Sequence, residues 1–561
     1  MTHLHDFMEV GFFFKMYNPK AGRKAFKFKP WLGLRRISPF RTEHNSEGRR
    51  IRIFWRRLFL WVTVLLCMTW LGVTGGLYFY IKYARDYGTL EYTNLLFYPW
   101  KKDVYRRARC EFLLKKGKEQ LNERKYLEGF YNIRLGLSVV PEDTEAREQI
   151  AQFYIAIGRD DAAEQTFSDG LQYNASNIGF LRKYFEFLFS RQKDERVIEI
   201  TQHLLASEAR NTLAWHVLTI AQASADFYLG RYKIAEKLLF LNNTMGTRGG
   251  SILTAQVMWA QGKKTEALAL LSDLSDRFPG DPEVYVVRVG YFREVGNMTA
   301  IRSLAVLRQL EKPDDPSGYL DELSTLDPSN ETVRRAGTLS ELFSRFSNDG
   351  AAMNGLASIG AYKGQIDLAW RAYRQCKVQD LPCMGSAISY IEAHLVAKLY
   401  ADAIAATQKI VAENQDWVKT NGTQLDALRS VANYALGDKA LSELQLQNYL
   451  NDKNTSRTNL VAFAEHMVRV GALGQARLIL LTAIKTDSLN QAALTRLVEL
   501  DLEQMDTPSL VANTDRLLVM RKPDPAFLRK IRDTLQSDRY IFEGNGAMLQ
   551  KINARLAQYE S

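Results

Sequence analysis

The chain has 561 residues, 46% of them hydrophobic and 24% charged, with too little glycine (35) and proline (14) for a low-complexity chain, so a substantial folded body is expected. Its net charge is +11, but residues 1–57 hold 14 Lys and Arg against 4 Asp and Glu, which leaves 60 against 59 for the rest. The basicity is confined to the amino-terminal tail, and the neutral remainder offers no generic electrostatic surface for nucleic acid.

Residues 1–57 read as a basic, partly disordered tail on the cytoplasmic side. Within it "KAGRKAFKFKPWLGLRR" (residues 20–36) interleaves cations with Phe26, Phe28 and Trp31. Such a segment can lie on an anionic leaflet, each cation near the surface contributing about 1 kcal/mol. Alternatively the charge only fixes topology, or the tail docks a partner in the cytoplasm.

Leu58 through Ile81 carries no charged side chain. As a helix these 24 residues span about 36 Å, enough to cross a hydrocarbon core of about 30 Å with some tilt. Trp55, Trp61, Trp70, Tyr78, Tyr80 and Tyr83 suit interfacial anchoring. A cleaved export signal would start nearer residue 1 and be shorter. Arg49, Arg50, Arg52, Arg56 and Arg57 precede the span, whereas Lys82 and Arg85 follow it closely, with Lys101 and Lys102 further out. The expectation is a single-pass protein of the inner (cytoplasmic) membrane, amino terminus cytoplasmic, with the body on the extracytoplasmic side, the periplasm in a Gram-negative bacterium.

Residues 82–109 form a juxtamembrane connector rich in Tyr and basic side chains. After it, self-comparison places "KKGKEQLNERKYLEGFYNIRLGLSVVPED" (115–143) over "REQIAQFYIAIGRDDAAEQTFSDGLQYNASN" (147–177), with Gly129 over Ala163, Ile133 over Phe167 and Gly136 over Gly170, each pair 34 residues apart. The beat continues through starts at 110, 144, 178 and 212, resets to 248, runs through 282, 316, 350 and 384, and after a shift continues at 423, 457 and 491. "QGKKTEALALLSDLSDRFPGDP" (261–282) matches best, with Gly262, Ala267, Leu271 and Pro279 in the turn, small, large and terminating slots; the unit at 316 matches poorly. Small residues let two helix axes approach to about 8–10 Å, large ones fill the groove, and proline ends the second helix.

This pattern resembles the tetratricopeptide repeat (TPR). The resemblance covers about twelve units over residues 110–524, with residues 525–561 as carboxyl-terminal capping helices. It implies an all-α, right-handed superhelical solenoid whose concave surface, lined mainly by the first helix of each unit, binds protein partners. Members that hold acidic carboxyl-terminal peptides use Lys and Asn at two slots of that helix. Here those slots hold Leu114 and Lys118, Glu148 and Gln152, Arg182 and Glu186, His216 and Ile220, or Asn354 and Ser358, so that ligand class is disfavoured.

No catalytic, cofactor or metal site is expected. His-Glu-x-x-His, Gly-x-Ser-x-Gly and phosphate-binding glycine loops are missing. His3, His5 and Asp6 lie together in the tail without a scaffold, His203, His216, His394 and His466 fall in repeat helices, and Asp160–Asp161 and Asp314–Asp315 fall at turns. Cys67, Cys110, Cys376 and Cys383 are too few for a disulfide framework; Cys376 and Cys383 are near enough in sequence to bridge in an exported domain, and otherwise are free thiols. The sequence thus points to a membrane-tethered scaffold of an envelope complex, not an enzyme. The alternative is a membrane-anchored chaperone that holds exported clients.

Overall fold

The computed structural model describes residues 39–45, 48–84, 90–452 and 459–560; the segment 20–36 and the cluster of His3, His5 and Asp6 lie outside them. The chain divides into two compact units, residues 1–175 and 176–561.

In the first unit, strands β1 (Phe40–Asn45) and β2 (Gly48–Ile53) pair antiparallel, with Phe40 opposite Ile53 and Asn45 opposite Gly48. This hairpin lies within the basic tail of residues 1–57, which is expected to be partly disordered. Helix α1 (Trp55–Phe79) follows and ends in a π-helical turn, Tyr80–Ala84. It is long and apolar enough to cross a membrane, and nearly all its side chains are exposed. Then come α2 (Tyr92–Leu96), α3 (Tyr98–Asn122), α4 (Tyr126–Val139), α5 (Thr144–Ala156), α6 (Asp160–Ser168) and the single turn α7 (Leu171–Asn174).

The second unit is a succession of helix pairs. Its first half comprises α8 (Ile178–Ser190), α9 (Asp194–Leu205), α10 (Leu213–Tyr228), α11 (Tyr232–Leu241), α12 (Arg248–Ala260), α13 (Lys264–Arg277), α14 (Pro282–Glu294), α15 (Met298–Glu311), α16 (Ser317–Thr325) and α17 (Thr332–Arg345). Its second half comprises α18 (Gly350–Tyr362), α19 (Ile366–Val378), α20 (Met384–Val396), α21 (Tyr400–Glu413), α22 (Gln415–Ala435), α23 (Lys439–Asn451), α24 (Leu460–Arg469), α25 (Leu473–Thr486), α26 (Gln491–Gln504), α27 (Thr507–Leu518), α28 (Pro525–Leu535) and α29 (Asn545–Glu560). Among its described residues this unit is all-α, a succession of helical hairpins.

Two local devices recur in the hairpins. Before the first helix stands a short polar residue whose side chain accepts a backbone N–H: Asp143, Asn177, Thr212, Thr247, Asp281, Asp349 and Asn490 all cap this way. Such a cap stabilises a helix by about 1 kcal/mol. After the first helix comes a reversal. At Gly262 (φ 83°) the N–H of Lys263 donates to the Met258 carbonyl at 2.9 Å and that of Gly262 to Trp259 at 3.0 Å, a Schellman ending that needs the left-handed backbone. Arg124, Gln192, Lys398 and Met505 hold the same left-handed position with side chains (φ 53–62°), at a steric cost glycine avoids.

Packing follows the recurring volumes. Ala163, Ala235, Ala267, Ala369 and Ala476 are fully buried where paired helices meet, and Phe167, Leu239, Leu271, Tyr373 and Leu480, four residues on, fill the interior beside them. At Gly129 an added Cβ would come within 2.8 Å of the Gly117 carbonyl, so α3 and α4 touch backbone to backbone. The weakly matching unit departs for a visible reason: α16 has only 9 residues, and its connection to α17 is held instead by Arg302, which bonds both Glu331 and the Thr325 carbonyl.

Candidate functional site

The titratable residues singled out from sequence are dispersed, and among the described residues no group of three or more His, Cys, Asp or Glu side chains converges. His394 is buried edge-on against Tyr390 (centroids 5.0 Å apart), and burial lowers its pKa. His466 approaches Glu392 at 3.6 Å, while His203 is exposed on α9 and His216 half-buried on α10. Asp160 and Asp161 open α6, where carboxylates favour the positive helix end. Asp315 accepts the Ser317 N–H at 2.9 Å and binds Arg308, and Asp314 lies 3.5 Å from Arg345. All four cysteines are free; Cys376 and Cys383 are both buried thiols, and desolvation raises both pKa values. In the peptide-clamp slots, Leu114 is buried and Lys118 pairs with Glu145.

The most elaborate side-chain constellation in the second unit lies where its last helices return to α8–α11. The α27–α28 loop lays Arg521 against α9. The Arg521 N–H donates to Gln192 Oε1 at 3.1 Å, while Nε and Nη2 of its guanidinium donate to the two carboxylate oxygens of Asp194 at 3.1 and 2.5 Å. Asp194 is 4% exposed. Burial raises its pKa, and the Arg521 bonds oppose that rise. The same guanidinium stacks over Tyr228, 3.8 Å from the ring centroid.

Lys522 extends the contact with its ammonium 3.5 Å from the Phe227 centroid, and burial lowers its pKa to about 8. From α29, Arg555 donates to the Leu229 carbonyl at 3.4 Å and the Met520 carbonyl at 3.2 Å. Tyr559 stacks on Tyr232 (5.9 Å, 19°) and donates to the Pro523 carbonyl at 3.0 Å. Tyr559 also lies over the bare face of Gly230, where a Cβ would come within 2.7 Å of its ring. Nothing in the local sequence announces this seam. Arg521 and Asp194 are 327 residues apart, and each looks like an ordinary loop or first-turn charge.

Beside the seam opens a cleft of ≈ 690 Å³. Tyr232 and Tyr559 form its aromatic wall; Lys233, Lys263 and Arg529 supply cations and Glu236 and Asp524 anions. Glu236 accepts from the Gln261 amide (2.8 Å) and from Lys263 (3.0 Å), and these bonds lower its pKa. Asp524 caps α28 through the Ala526 N–H at 2.9 Å. Both acids are thus already bonded, and the cleft gathers recognition groups: a flat apolar wall with mixed charge at its rim.

No family model matches the chain, and no curated protein matches it. Among solved structures it resembles the APC/C hetero-tetramer Cut9–Hcn1, at 12% identity over 79% of this chain and 96% of that one, with a TM-score of 0.25. It also resembles yeast Tom70, at 12% identity over 82% of this chain and 97% of that one, with a TM-score of 0.30.

Proposed function

We propose that this protein is a membrane-tethered, non-enzymatic scaffold. Helix α1 holds it in the inner membrane with the amino terminus in the cytoplasm, and the helix-hairpin array docks protein partners of an envelope complex on the extracytoplasmic side. The observation that carries this reading is one helix with exposed apolar side chains joined to a long succession of helix hairpins, a form that offers extended surface more than an enclosed reaction chamber. The arginine excess before α1 supports the orientation. The two-tyrosine cleft with mixed charge at its rim supports peptide or loop recognition over anion or nucleic-acid binding.

Proximity labelling from a biotin ligase fused after Ser561, in intact cells, tests both parts. Labelled envelope proteins with one or two dominant, stoichiometric neighbours are expected. Labelling of cytoplasmic proteins overturns the orientation, and many substoichiometric neighbours would replace the scaffold with a chaperone for exported clients.

A further inference from the structure

The connector after α1 does not simply lead away from the membrane. Trp70, in the middle of α1, donates its indole N–H to the Leu96 carbonyl at the end of α2, 3.1 Å away. Four residues on, Thr74 Oγ1 lies 3.4 Å from the Tyr92 hydroxyl, which in turn donates to the Leu71 carbonyl at 3.4 Å. Ile81 closes a small core with Leu90, Leu95 and Ala108, joined by Tyr78 and Tyr105. The segment 90–96, which ends in α2, therefore runs back along α1 from the level of Ile81 to that of Trp70, and α3 climbs out again.

The depth follows from helix geometry. Trp70 is 12 residues past Leu58, or about 18 Å along the axis, well short of a hydrocarbon core of about 30 Å. Beyond Trp70, α1 still presents exposed apolar side chains, Val73, Leu77 and Phe79 among them, which call for lipid at that level. The bend between α2 and α3 stands at the same level with Phe97, Tyr98 and Trp100 exposed, Trp100 at 83%. Lys101 and Lys102 follow at once, with stems long enough to reach toward the headgroups. Aromatic rings followed by lysines are the side chains that a bilayer interface selects.

We infer that this bend, Phe97–Lys102, is a second membrane-contacting element, seated in the lipid leaflet at the carboxyl-terminal end of α1. The inference rests on the reading of α1 as a membrane span. It adds that the tether is a helix plus a wedge, so the first hairpin is held against the bilayer surface instead of swinging on a free linker.

Spin labels at Trp100→Cys, Leu65→Cys and Val333→Cys, each in a Cys67→Ser background, test it. The full-length protein is placed in phosphatidylcholine–phosphatidylglycerol vesicles, and collision with oxygen is compared with collision with a water-soluble nickel chelate. Trp100, Leu65 and Val333 are all exposed side chains, so no packing is lost. Expected is an oxygen-to-nickel accessibility ratio at position 100 at least tenfold that at position 333, approaching that at position 65 on α1. A water-like ratio at 100 with a lipid-like ratio at 65 overturns the wedge and leaves the span standing. A label at 100 shielded from both reagents also overturns it, because protein would then cover the bend. A water-like ratio at 65 overturns the span itself, and the wedge with it.

Discussion

Replacing Arg521 by alanine strikes the seam where its chemistry is most concentrated. The side chain gives both guanidinium bonds to Asp194, at 3.1 and 2.5 Å, and leaves that carboxylate 4% exposed with no equivalent donor when it is removed. Stranding one member of a buried pair costs about 3–5 kcal/mol, and the lost stacking on Tyr228 adds about 1 kcal/mol. The contacts of Lys522, Arg555 and Tyr559 remain, so the damage is a local opening and not loss of the fold. A penalty of about 4 kcal/mol or more makes that opening about a thousandfold more frequent. Amide hydrogen exchange by mass spectrometry on the full-length protein in detergent reads it directly. Peptides covering 519–524 and the start of α9 should exchange at least a hundredfold faster, with those from α18–α21 unchanged. Adding Asp194→Asn should recover a large part of the protection, because the stranded charge is gone.

The pH dependence has a fixed sign. Burial raises the pKa of Asp194 in the folded state, and removing Arg521 raises it further, so the folded variant binds this proton more tightly than the unfolded chain. Its stability therefore falls as pH rises from 3.8 through the folded-state pKa, and the defect should be smaller at pH 5 than at pH 7.5. Exchange within threefold of wild type, or no recovery from Asp194→Asn, would refute the claim that this pair holds the seam.

Three other substitutions probe other parts of the molecule. The pKa of Lys522, lowered from 10.5 to about 8 by burial, corresponds to about 3 kcal/mol of desolvation, against about 2 kcal/mol for the ammonium over Phe227. Lys522→Met should thus stabilise by about 1 kcal/mol at pH 7 in urea unfolding, while the wild type gains stability from pH 8 upward as its folded-state lysine loses the proton first. Met505→Gly relieves a left-handed residue (φ 54°) and should raise stability by about 1 kcal/mol, read as a higher urea midpoint at unchanged slope. Asp281 caps α14 and accepts two guanidinium bonds from Arg248, which bring its pKa down to about 2. Asp281→Ala should cost about 2–3 kcal/mol at pH 7, a difference from wild type that shrinks as pH falls from 3.8 through 2, because the wild-type carboxylate is then protonated.

The sequence made the hairpins legible because their signals are short-range. Ala267 and Leu271 are four residues apart on one helix, and Gly262 marks a reversal that only a left-handed backbone can make. The caps recur with the same beat but are quiet, since Asn177 or Thr212 by itself is an unremarkable polar residue. The unit starting near residue 316 read poorly because its connection is built from Arg302, Thr325 and Glu331 in place of small-residue contacts. The seam was invisible for a different reason. A pair such as Asp194 and Arg521, separated by 327 residues, leaves no periodic trace, and its location depends on the summed geometry of all the intervening hairpins. The folding back of α2 on α1 was hidden likewise, because a tryptophan indole bonding a backbone carbonyl has no composition signature.

In an open stack each end has one neighbour fewer than the middle, so melting begins at the tips and runs inward. Here the tip carrying Arg521, Arg555 and Tyr559 is clamped to helices near the other end of its own unit. The short α16 and its partner then lie between two stretches of stacked hairpins whose far ends are joined to each other, so neither stretch ends in a free tip at the seam.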